Sequence, residues 1–430
     1  MMWREEKCQM SHRDRIIDAA VFVLLLVAVS VVTLQLFHMQ ALESLVEGDQ
    51  SSDMRAYILE MQGLDSGYSF PYPIFFKISA FLNLFASPEF AVALATMLLN
   101  SLAVVFVKLA LNSWVLPVCE SSSGVLKKKW LTGIFLSLLS VSLFFISMLY
   151  PPEGMYLPGI RFKYLGVFTA NPFHNATYLA ARPFATLAFL WYAKLLPVYH
   201  KGVCTKKNQG GVAILDYVLF SVFLLAATMT KPSFTLVMAA AAGLLMLYRL
   251  CRSGFRNFVP TLQLGVCFVP TFLDLLYQYS GVFVPSDGAE GGIGFTFGEV
   301  WGYYCDNIPL SIGLAMGFPL LVLVLNFKEL KGDGLYRFSW QVYLVSLAMA
   351  FFLYEKGFRK PDFNFSWGYM YGIFFCHFGA LALLARNTVR EGRQRLMPRL
   401  LLGVQWLAYL WHVVCGLTYF GTIMGGGTYY

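Results

Sequence analysis

IIDAAVFVLLLVAVSVVTLQLF, residues 16–37, is the stretch of this sequence that decides its fold class. A helix needs about 20 consecutive apolar residues to cross a hydrocarbon core roughly 30 Å thick, and this run has that length. The run is too long for the core of a signal peptide, and no small-residue cleavage site follows it. We therefore expect a retained transmembrane helix near the start of the chain.

Apolar runs of similar length recur along the whole sequence. Of its 430 residues, 58% are hydrophobic and only 13% are charged, whereas soluble domains carry about 25% charged residues. The sequence therefore predicts an all-α polytopic membrane protein with about 11 transmembrane helices in a single domain, 1–430. The expected spans are 16–37, 89–111, 130–150, 176–197, 213–230, 233–249, 259–280, 308–327, 338–355, 367–385 and 399–420.

A further apolar segment, FPYPIFFKISAFLNLFA at 70–86, would be a twelfth span if it crossed the membrane. Pro71, Pro73 and Lys77 interrupt it. Backbone of this kind is tolerated at membrane depth only against protein or water. We expect segment 70–86 to form an interfacial or re-entrant helix.

Lysine and arginine residues indicate the orientation of the chain. With a cytoplasmic N-terminus, every segment on the cytoplasmic side carries at least three of these cations, as at 127–129 and at 386–399. This asymmetry satisfies the positive-inside rule. The net charge of +8 is thus explained by topology, and no nucleic-acid partner is expected. The cytoplasmic loops also lack a nucleotide-binding motif, so the chemistry is expected on the exoplasmic side.

The exoplasmic loops that follow from this orientation include 38–88, 151–175, 281–306 and 356–366. The first contains an acidic stretch, ESLVEGDQSSDMRAYILEMQGLDSGYSFPYP, at residues 43–73. Carboxylates that cluster on one side of a membrane protein are candidates for catalysis or metal binding. The scattered cysteines, in contrast, show no CxxC spacing and indicate neither a zinc site nor a disulfide framework.

Asp53 is the first candidate for a catalytic carboxylate, and Asp49 is the second. Ser51, Ser52 and Asp53 precede MRAYILEMQ, in which Met54, Tyr57, Ile58 and Met61 fall on one helical face. Asp53 would then lie at the N-terminus of an amphipathic helix, with Tyr57, a candidate substrate-binding residue, one turn further on. The alternative interpretation is that Asp53 only caps this helix.

The stretch NPFHNATYLAARPF, residues 171–184, places polar side chains where the chain re-enters the membrane. Polar groups at this depth are expensive unless they are paired or functional. Asn171, Asn175 and Arg182 are candidate substrate-binding residues. His174 is a candidate acid–base group because histidine titrates near neutral pH; a structural, hydrogen-bonded histidine is the alternative.

Cations on the exoplasmic side depart locally from the charge rule. Lys231 stands alone in the short connection TKPSF, residues 230–234, and Arg359 and Lys360 lie beside another membrane edge. Cations at this level suit the phosphate of a lipid. We therefore predict that Lys231, Arg359 and Lys360 bind an anionic lipid ligand.

This arrangement resembles the GT-C superfamily of integral-membrane glycosyltransferases, which use polyprenyl-phosphate sugars. Members carry an acidic residue in a long first exoplasmic loop, and GDQSSDMRAYI at 48–58 matches that position, with Asp53 as the counterpart of the catalytic carboxylate. The 171–184 and 230–234 stretches also look like segments of uncharacterised bacterial multipass proteins of this kind. The chain departs from many members in lacking an adjacent acidic pair.

The resemblance implies transfer of a sugar from a polyprenyl-phosphate donor to a lipid, glycan or protein acceptor by an inverting displacement, with a loop carboxylate as base. If a divalent cation such as Mg²⁺ or Mn²⁺ takes part, it would bind at Asp53 or Asp49; no other cofactor is expected. Membrane lipids surround the protein, and in a bacterium the plasma membrane would be its location. A polysaccharide polymerase and a lipid-linked oligosaccharide transporter or flippase are the alternative functions.

Overall fold

The computed structural model describes residues 10–44, 52–121, 128–150, 162, 165–204, 212–282, 292–390 and 396–427. Within these ranges the chain is mainly helical. The helices are α1 His12–Glu43, α2 Met54–Met61, α3 Pro73–Asn83, α4 Pro88–Val115, α5 Lys129–Ser142, α6 Ala176–Leu195, α7 Ile214–Thr228, α8 Ser233–Arg252, α9 Phe258–Val266, α10 Val269–Val282, α11 Glu299–Gly302, α12 Ile308–Leu325, α13 Glu329–Gly332, α14 Gly334–Phe352, α15 Ser366–Arg390 and α16 Leu396–Met424.

Two small sheets connect loops. β1 Val203–Cys204 pairs in parallel with β2 Val212–Ala213. β3 Ile293–Phe295 pairs antiparallel with β4 Leu353–Glu355, and Ile293 lies opposite Glu355 in this register. This pairing fixes the backbone position of Glu355.

Six helices are long and apolar enough to cross a membrane within the described ranges, or seven if the bent pair α9 and α10 counts as one span. Each of the eleven predicted spans falls on a helix or on this pair. The structure thus agrees with an all-α membrane protein. The number of eleven transmembrane spans stays a prediction. α3 covers the predicted interfacial segment and has 11 residues, or about 16 Å of helix, so it is too short to cross.

α15 is the central helix, and its apolar window is completely buried. It packs closely against α14 because two glycines face two serines: Gly372 meets Ser346, and Gly379 meets Ser339. A methyl group at either glycine would collide with the opposing serine hydroxyl. Small residues at a helix interface allow such close approach inside a membrane. The first turn of α15 carries Trp367 and therefore lies at the site described below.

A buried ion pair joins three further helices. Lys108 Nζ on α4 donates to Asp18 Oδ1 on α1 at 2.8 Å and to the Gly133 carbonyl on α5 at 2.7 Å. The hydroxyl of Ser137 also donates to Asp18 Oδ1. Both charges are nearly excluded from solvent, so each requires the other in place.

Candidate functional site

Asp53 lies at the N-terminus of α2, where the sequence pattern placed it. The face predicted for this helix is confirmed, because Met54, Tyr57, Ile58 and Met61 are its buried residues. The Asp53 side chain does not cap α2. Instead, Asp53 Oδ2 accepts from Asn175 Nδ2 at 2.6 Å and from the Tyr57 hydroxyl at 3.1 Å. Asp53 is otherwise exposed, so this carboxylate is both positioned and accessible.

Asn175 caps the N-terminus of α6, and this cap fixes the direction of its amide. Its Oδ1 accepts from the Tyr178 backbone N–H at 2.9 Å. The opposite side of the amide, Nδ2, donates to Asp53 and to the Tyr57 hydroxyl, the latter at 2.8 Å. A local helix cap therefore also holds the carboxylate of a distant loop.

Lys231 lies in the connection between α7 and α8 and is 6% exposed. Its ammonium donates to Thr177 Oγ1 at 3.0 Å and to Asn175 Oδ1 at 3.3 Å, and it lies 4.6 Å from the centroid of the Trp367 ring. Among the described residues no carboxylate forms an ion pair with it. Burial lowers the pKa of Lys231 to about 8, and the more distant Asp53 carboxylate opposes this shift. The site thus holds a desolvated cation without a bonded anion.

A cavity of about 610 Å³ opens beside Lys231, within the range of small-molecule sites. One part of its wall is apolar and comes from α8, α10 and α14. These three helices line the cavity with Leu236, Val237, Phe272, Leu275, Leu276 and Met349. Leu236, Phe272 and Leu276 are also exposed. The cavity is therefore open along this apolar wall.

The remaining wall of this cavity is polar and aromatic. Its polar and aromatic lining residues are Tyr68, Ser69, Phe70, Tyr72, Lys231, Ser233, Gln278, Tyr279, Glu355, Arg359, Asn364, Phe365 and Trp367. Asp53 does not line the cavity: Lys231 lies on its wall, and Asn175 connects Lys231 to Asp53. The carboxylate and the cavity therefore lie on two sides of one hydrogen-bonded group.

The structure separates the predicted cations. Arg359 lines the cavity and pairs with Glu355 and Asp362, each at 3.4 Å. Lys360 instead donates to Glu299 Oε1 at 2.6 Å and is absent from the cavity wall. Lys231 and Arg359 therefore share one cavity, whereas Lys360 ties two loops together.

Asn171 and Arg182 support the loop that leads into α6. Asn171 Nδ2 donates to the Leu143 and Ile146 carbonyls, at 3.1 and 2.8 Å. Arg182 Nη2 donates to the Ala170 carbonyl at 2.6 Å. Both side chains are buried, neither lines the cavity, and neither forms a hydrogen bond with Asp53 or Lys231. Their contact with a substrate stays a prediction.

His174 is buried and packs beside the Trp367 ring, with 5.5 Å between the centroids. Burial, and then the nearby Lys231 cation, lower the pKa of His174 to about 3. The imidazole is therefore uncharged at neutral pH. This state favours the structural interpretation of His174 over the acid–base one.

Sequence reasoning missed Glu355, Asn364, Trp367 and Gln278, which line the same cavity. None of these four residues belongs to a sequence motif that would have indicated a ligand site. Asn364 begins Asn364-Phe-Ser, which is one of the two Asn-x-Ser/Thr triplets in the sequence; the other is Asn175-Ala-Thr.

The described part of the structure shows no set of ligands for the predicted metal ion. No group of three His, Cys, Asp or Glu side chains able to hold a metal ion occurs in the described part of the chain. Around Asp53 the structure places an amide and a phenol. Asp49 lies outside the described residues.

Comparisons of the chain with protein-family models, curated proteins and solved structures found no match. The functional argument therefore depends on the site alone.

Proposed function

We propose that the protein is a membrane-embedded glycosyltransferase that moves a sugar from a polyprenyl-phosphate donor to an acceptor hydroxyl on the exoplasmic face. The observation that carries this proposal is the joined pair of Asp53 and Lys231. An accessible carboxylate and a buried ammonium contact the same amide, that of Asn175, and the ammonium faces a cavity open along its apolar wall. An inverting displacement needs a base for the acceptor hydroxyl and a cation for the leaving phosphate.

The cavity suits a lipid-linked donor. A polyprenyl chain would enter between α8 and α10, through the exposed apolar residues Leu236, Phe272 and Leu276. Its phosphate would then meet Lys231 and Arg359, the two cations on the wall. Lys231 has no carboxylate bonded to it among the described residues, so a phosphate would supply the missing negative charge.

The proposed chemistry is an inverting displacement. The acceptor oxygen bonds to the anomeric carbon while the bond from that carbon to the phosphate oxygen breaks. The acceptor proton passes to the Asp53 carboxylate, which acts as general base. The electron pair leaves with the polyprenyl phosphate, and Lys231 and Arg359 stabilise the developing charge.

The membrane arrangement belongs to the proposal as well. Eleven spans with a cytoplasmic N-terminus would place Asp53, Lys231 and Arg359 on the exoplasmic side. The length of α15 supports this arrangement. The groups of the site lie near the first turn of this helix, and the basic loops lie near its other end. Trp367 in its first turn lies on the cavity, while Arg386 pairs with Asp333 at 2.7 Å, roughly 28 Å further along the helix.

Binding of the donor tests the proposal. Purified protein in detergent would be titrated with polyprenyl phosphates that carry glucose, mannose or galactose. Lys231→Met should weaken binding about 10- to 100-fold, the amount expected from a lost charge-assisted hydrogen bond. Lys328→Met is the matched control, because Lys328 is an exposed cation in the loop between α12 and α13.

Two results would contradict the proposal. If no sugar lipid in the panel binds the wild-type protein, a polyprenyl-phosphate sugar is not its donor. Movement of the lipid across vesicles, without sugar transfer to any added acceptor, would instead identify a flippase.

A further inference from the structure

The polar wall of the cavity has acceptor groups that a phosphate cannot satisfy. Glu355, Asn364 and Gln278 line this wall together with Lys231 and Arg359. An ionised phosphate offers only acceptor oxygens, so it suits the two cations and not a carboxylate. A second kind of ligand group is needed beside it.

Glu355 lies at the end of β4, where pairing with β3 fixes its backbone. Its Oε2 accepts from Asn364 Nδ2 at 2.9 Å and lies 3.4 Å from Arg359 Nε. Within the described residues both contacts fall on this one oxygen. Because a carboxylate can accept several hydrogen bonds, Oε1 is available to a donor in the cavity.

Gln278 provides an independent observation on α10. It is 4% exposed, and its Nε2 donates to the Thr228 carbonyl at 3.2 Å and to Asp274 Oδ2 at 2.7 Å. Its Oε1 is buried and has no hydrogen-bond partner among the described residues. A buried acceptor without a partner is costly. Because Gln278 lines the cavity, a ligand hydroxyl that reaches this oxygen after a small shift of the side chain would relieve the cost.

We infer that Glu355, Asn364 and Gln278 form a subsite that binds hydroxyl groups of the sugar attached to the donor phosphate. This inference rests on the proposed function and adds the recognition of the sugar to it. The ligand chemistry is a phosphate joined to a polyol and an apolar chain. Tyr68 and Trp367 supply aromatic surface on the same wall.

A ligand of the same chemistry could come from a second source, the glycerol headgroup of phosphatidylglycerol. Both ligands would place hydroxyl groups near a phosphate, and the acceptor groups line the same wall as the cations Lys231 and Arg359. The experiment therefore uses three ligands: a polyprenyl phosphate carrying a hexose, the same polyprenyl phosphate without sugar, and phosphatidylglycerol vesicles.

Glu355→Gln is the variant for this test, because Gln keeps the shape and can still accept from Asn364. Binding of the sugar-bearing lipid should fall about tenfold or more, while binding of the bare polyprenyl phosphate stays within twofold of wild type. Asp362→Asn is the matched control. Asp362 also pairs with Arg359 at 3.4 Å but does not line the cavity, so neither affinity should change.

Three results would overturn the inference. The sugar-bearing lipid could bind Glu355→Gln as tightly as wild type, both lipids could lose affinity equally, or phosphatidylglycerol could compete with the same dependence on Glu355. If no polyprenyl lipid binds the wild type, the proposed function fails and the subsite fails with it. If Glu355→Gln does not fold, Gln278→Met tests the same selectivity from α10.

Discussion

Asn175 is the residue on which the site depends most, because one amide performs three tasks. It caps α6 through Tyr178, holds the Asp53 carboxylate and accepts from the Lys231 ammonium. The two ends of the amide have opposite polarity, so each matches one of the two charges. A ligand that binds at Lys231 would thus act on Asp53 through a single side chain.

Asp53→Asn tests the general base. The Asn oxygen can still accept from Asn175 and Tyr57, so the fold and donor binding should survive. General-base catalysis typically contributes about 10²–10⁴ in rate, and sugar transfer should fall at least a hundredfold. The measurement is the initial rate of transfer from the polyprenyl-phosphate sugar to acceptor.

Asp65→Asn is the control for that variant. Asp65 lies in the same loop but is exposed and accepts only from the Gly67 backbone N–H among its recorded contacts. Its transfer rate should stay within twofold of wild type. Wild-type transfer by Asp53→Asn would show that this carboxylate is only structural.

Lys231 is expected to make the proposed donor binding sensitive to pH. Because its pKa is lowered to about 8, the ammonium is mostly charged at pH 7 and loses its proton as pH rises through 8. Donor affinity should then fall by up to tenfold per pH unit above that value. Stability should change in the opposite direction between pH 8 and 10.5, since the cost of burying the charge disappears.

Binding titrations and thermal melts from pH 7 to pH 10 measure both changes. Lys231→Arg keeps its charge over this range, so its donor affinity should not decline. An equal decline in both proteins would assign the pH dependence to another group.

At the residue scale the sequence predicts the polar groups of the site better than their partners. Asp53, Asn175 and Lys231 stand out as charged and amide groups in an apolar sequence, and Tyr57 follows from the buried face of α2. Glu355 has no such signal, since its position depends on pairing with a strand that is 62 residues away in the chain.

At the element scale, periodicity predicted α2 with its buried face and also the presence of α3. It did not predict the 48° bend between α9 and α10 within the expected span 259–280. Pro270 explains the bend, because proline has no N–H to bond to the Val266 carbonyl and its ring clashes with that carbonyl. The run of apolar residues is unbroken there, so hydropathy alone shows no boundary.

The ion pair between α1 and α4 should stabilise the helix bundle strongly. Asp18→Asn leaves the Lys108 charge buried without its carboxylate, and breaking such a pair costs about 3–5 kcal/mol. The thermal midpoint in detergent should therefore fall clearly. The double variant Asp18→Asn, Lys108→Met should recover part of this loss, because no uncompensated charge remains.

Asp216→Asn is the comparison for this pair. Asp216 also bonds a lysine, Lys194, at 2.6 Å, but both side chains are partly exposed. Exposed pairs contribute only about 0–1 kcal/mol, so the midpoint should move little. Equal shifts for Asp18→Asn and Asp216→Asn would contradict the structural role of the buried pair.

At the scale of the whole molecule, the predicted topology has a direct test. A cysteine at Asp65 should react with an impermeant thiol reagent applied outside intact cells, and one at Lys331 should not. Both positions are exposed, so accessibility to solvent is matched. The labelling of each variant is compared with that of the unsubstituted chain. The reverse pattern would place the site on the cytoplasmic side.

Composition alone predicted the membrane class, because a chain with so few charges must place its apolar surface in lipid. The number of spans is harder to read. α5 and α7 are apolar but have 14 and 15 residues, about 21 to 23 Å of helix, which is short for a full crossing. A hydropathy pattern also includes apolar residues beyond the helix ends. The spans that it predicts are therefore longer than the helices α5 and α7.

The two Asn-x-Ser/Thr triplets have a practical consequence for producing the protein. A glycosylating host attaches its glycan to Nδ2 of such an asparagine, and here Nδ2 of Asn175 bonds Asp53 while Nδ2 of Asn364 bonds Glu355. A glycan on Asn175 would not fit, because this side chain is 1% exposed, and the modified amide keeps one N–H where Asn175 Nδ2 makes two contacts. Recombinant expression should therefore use a host without this modification.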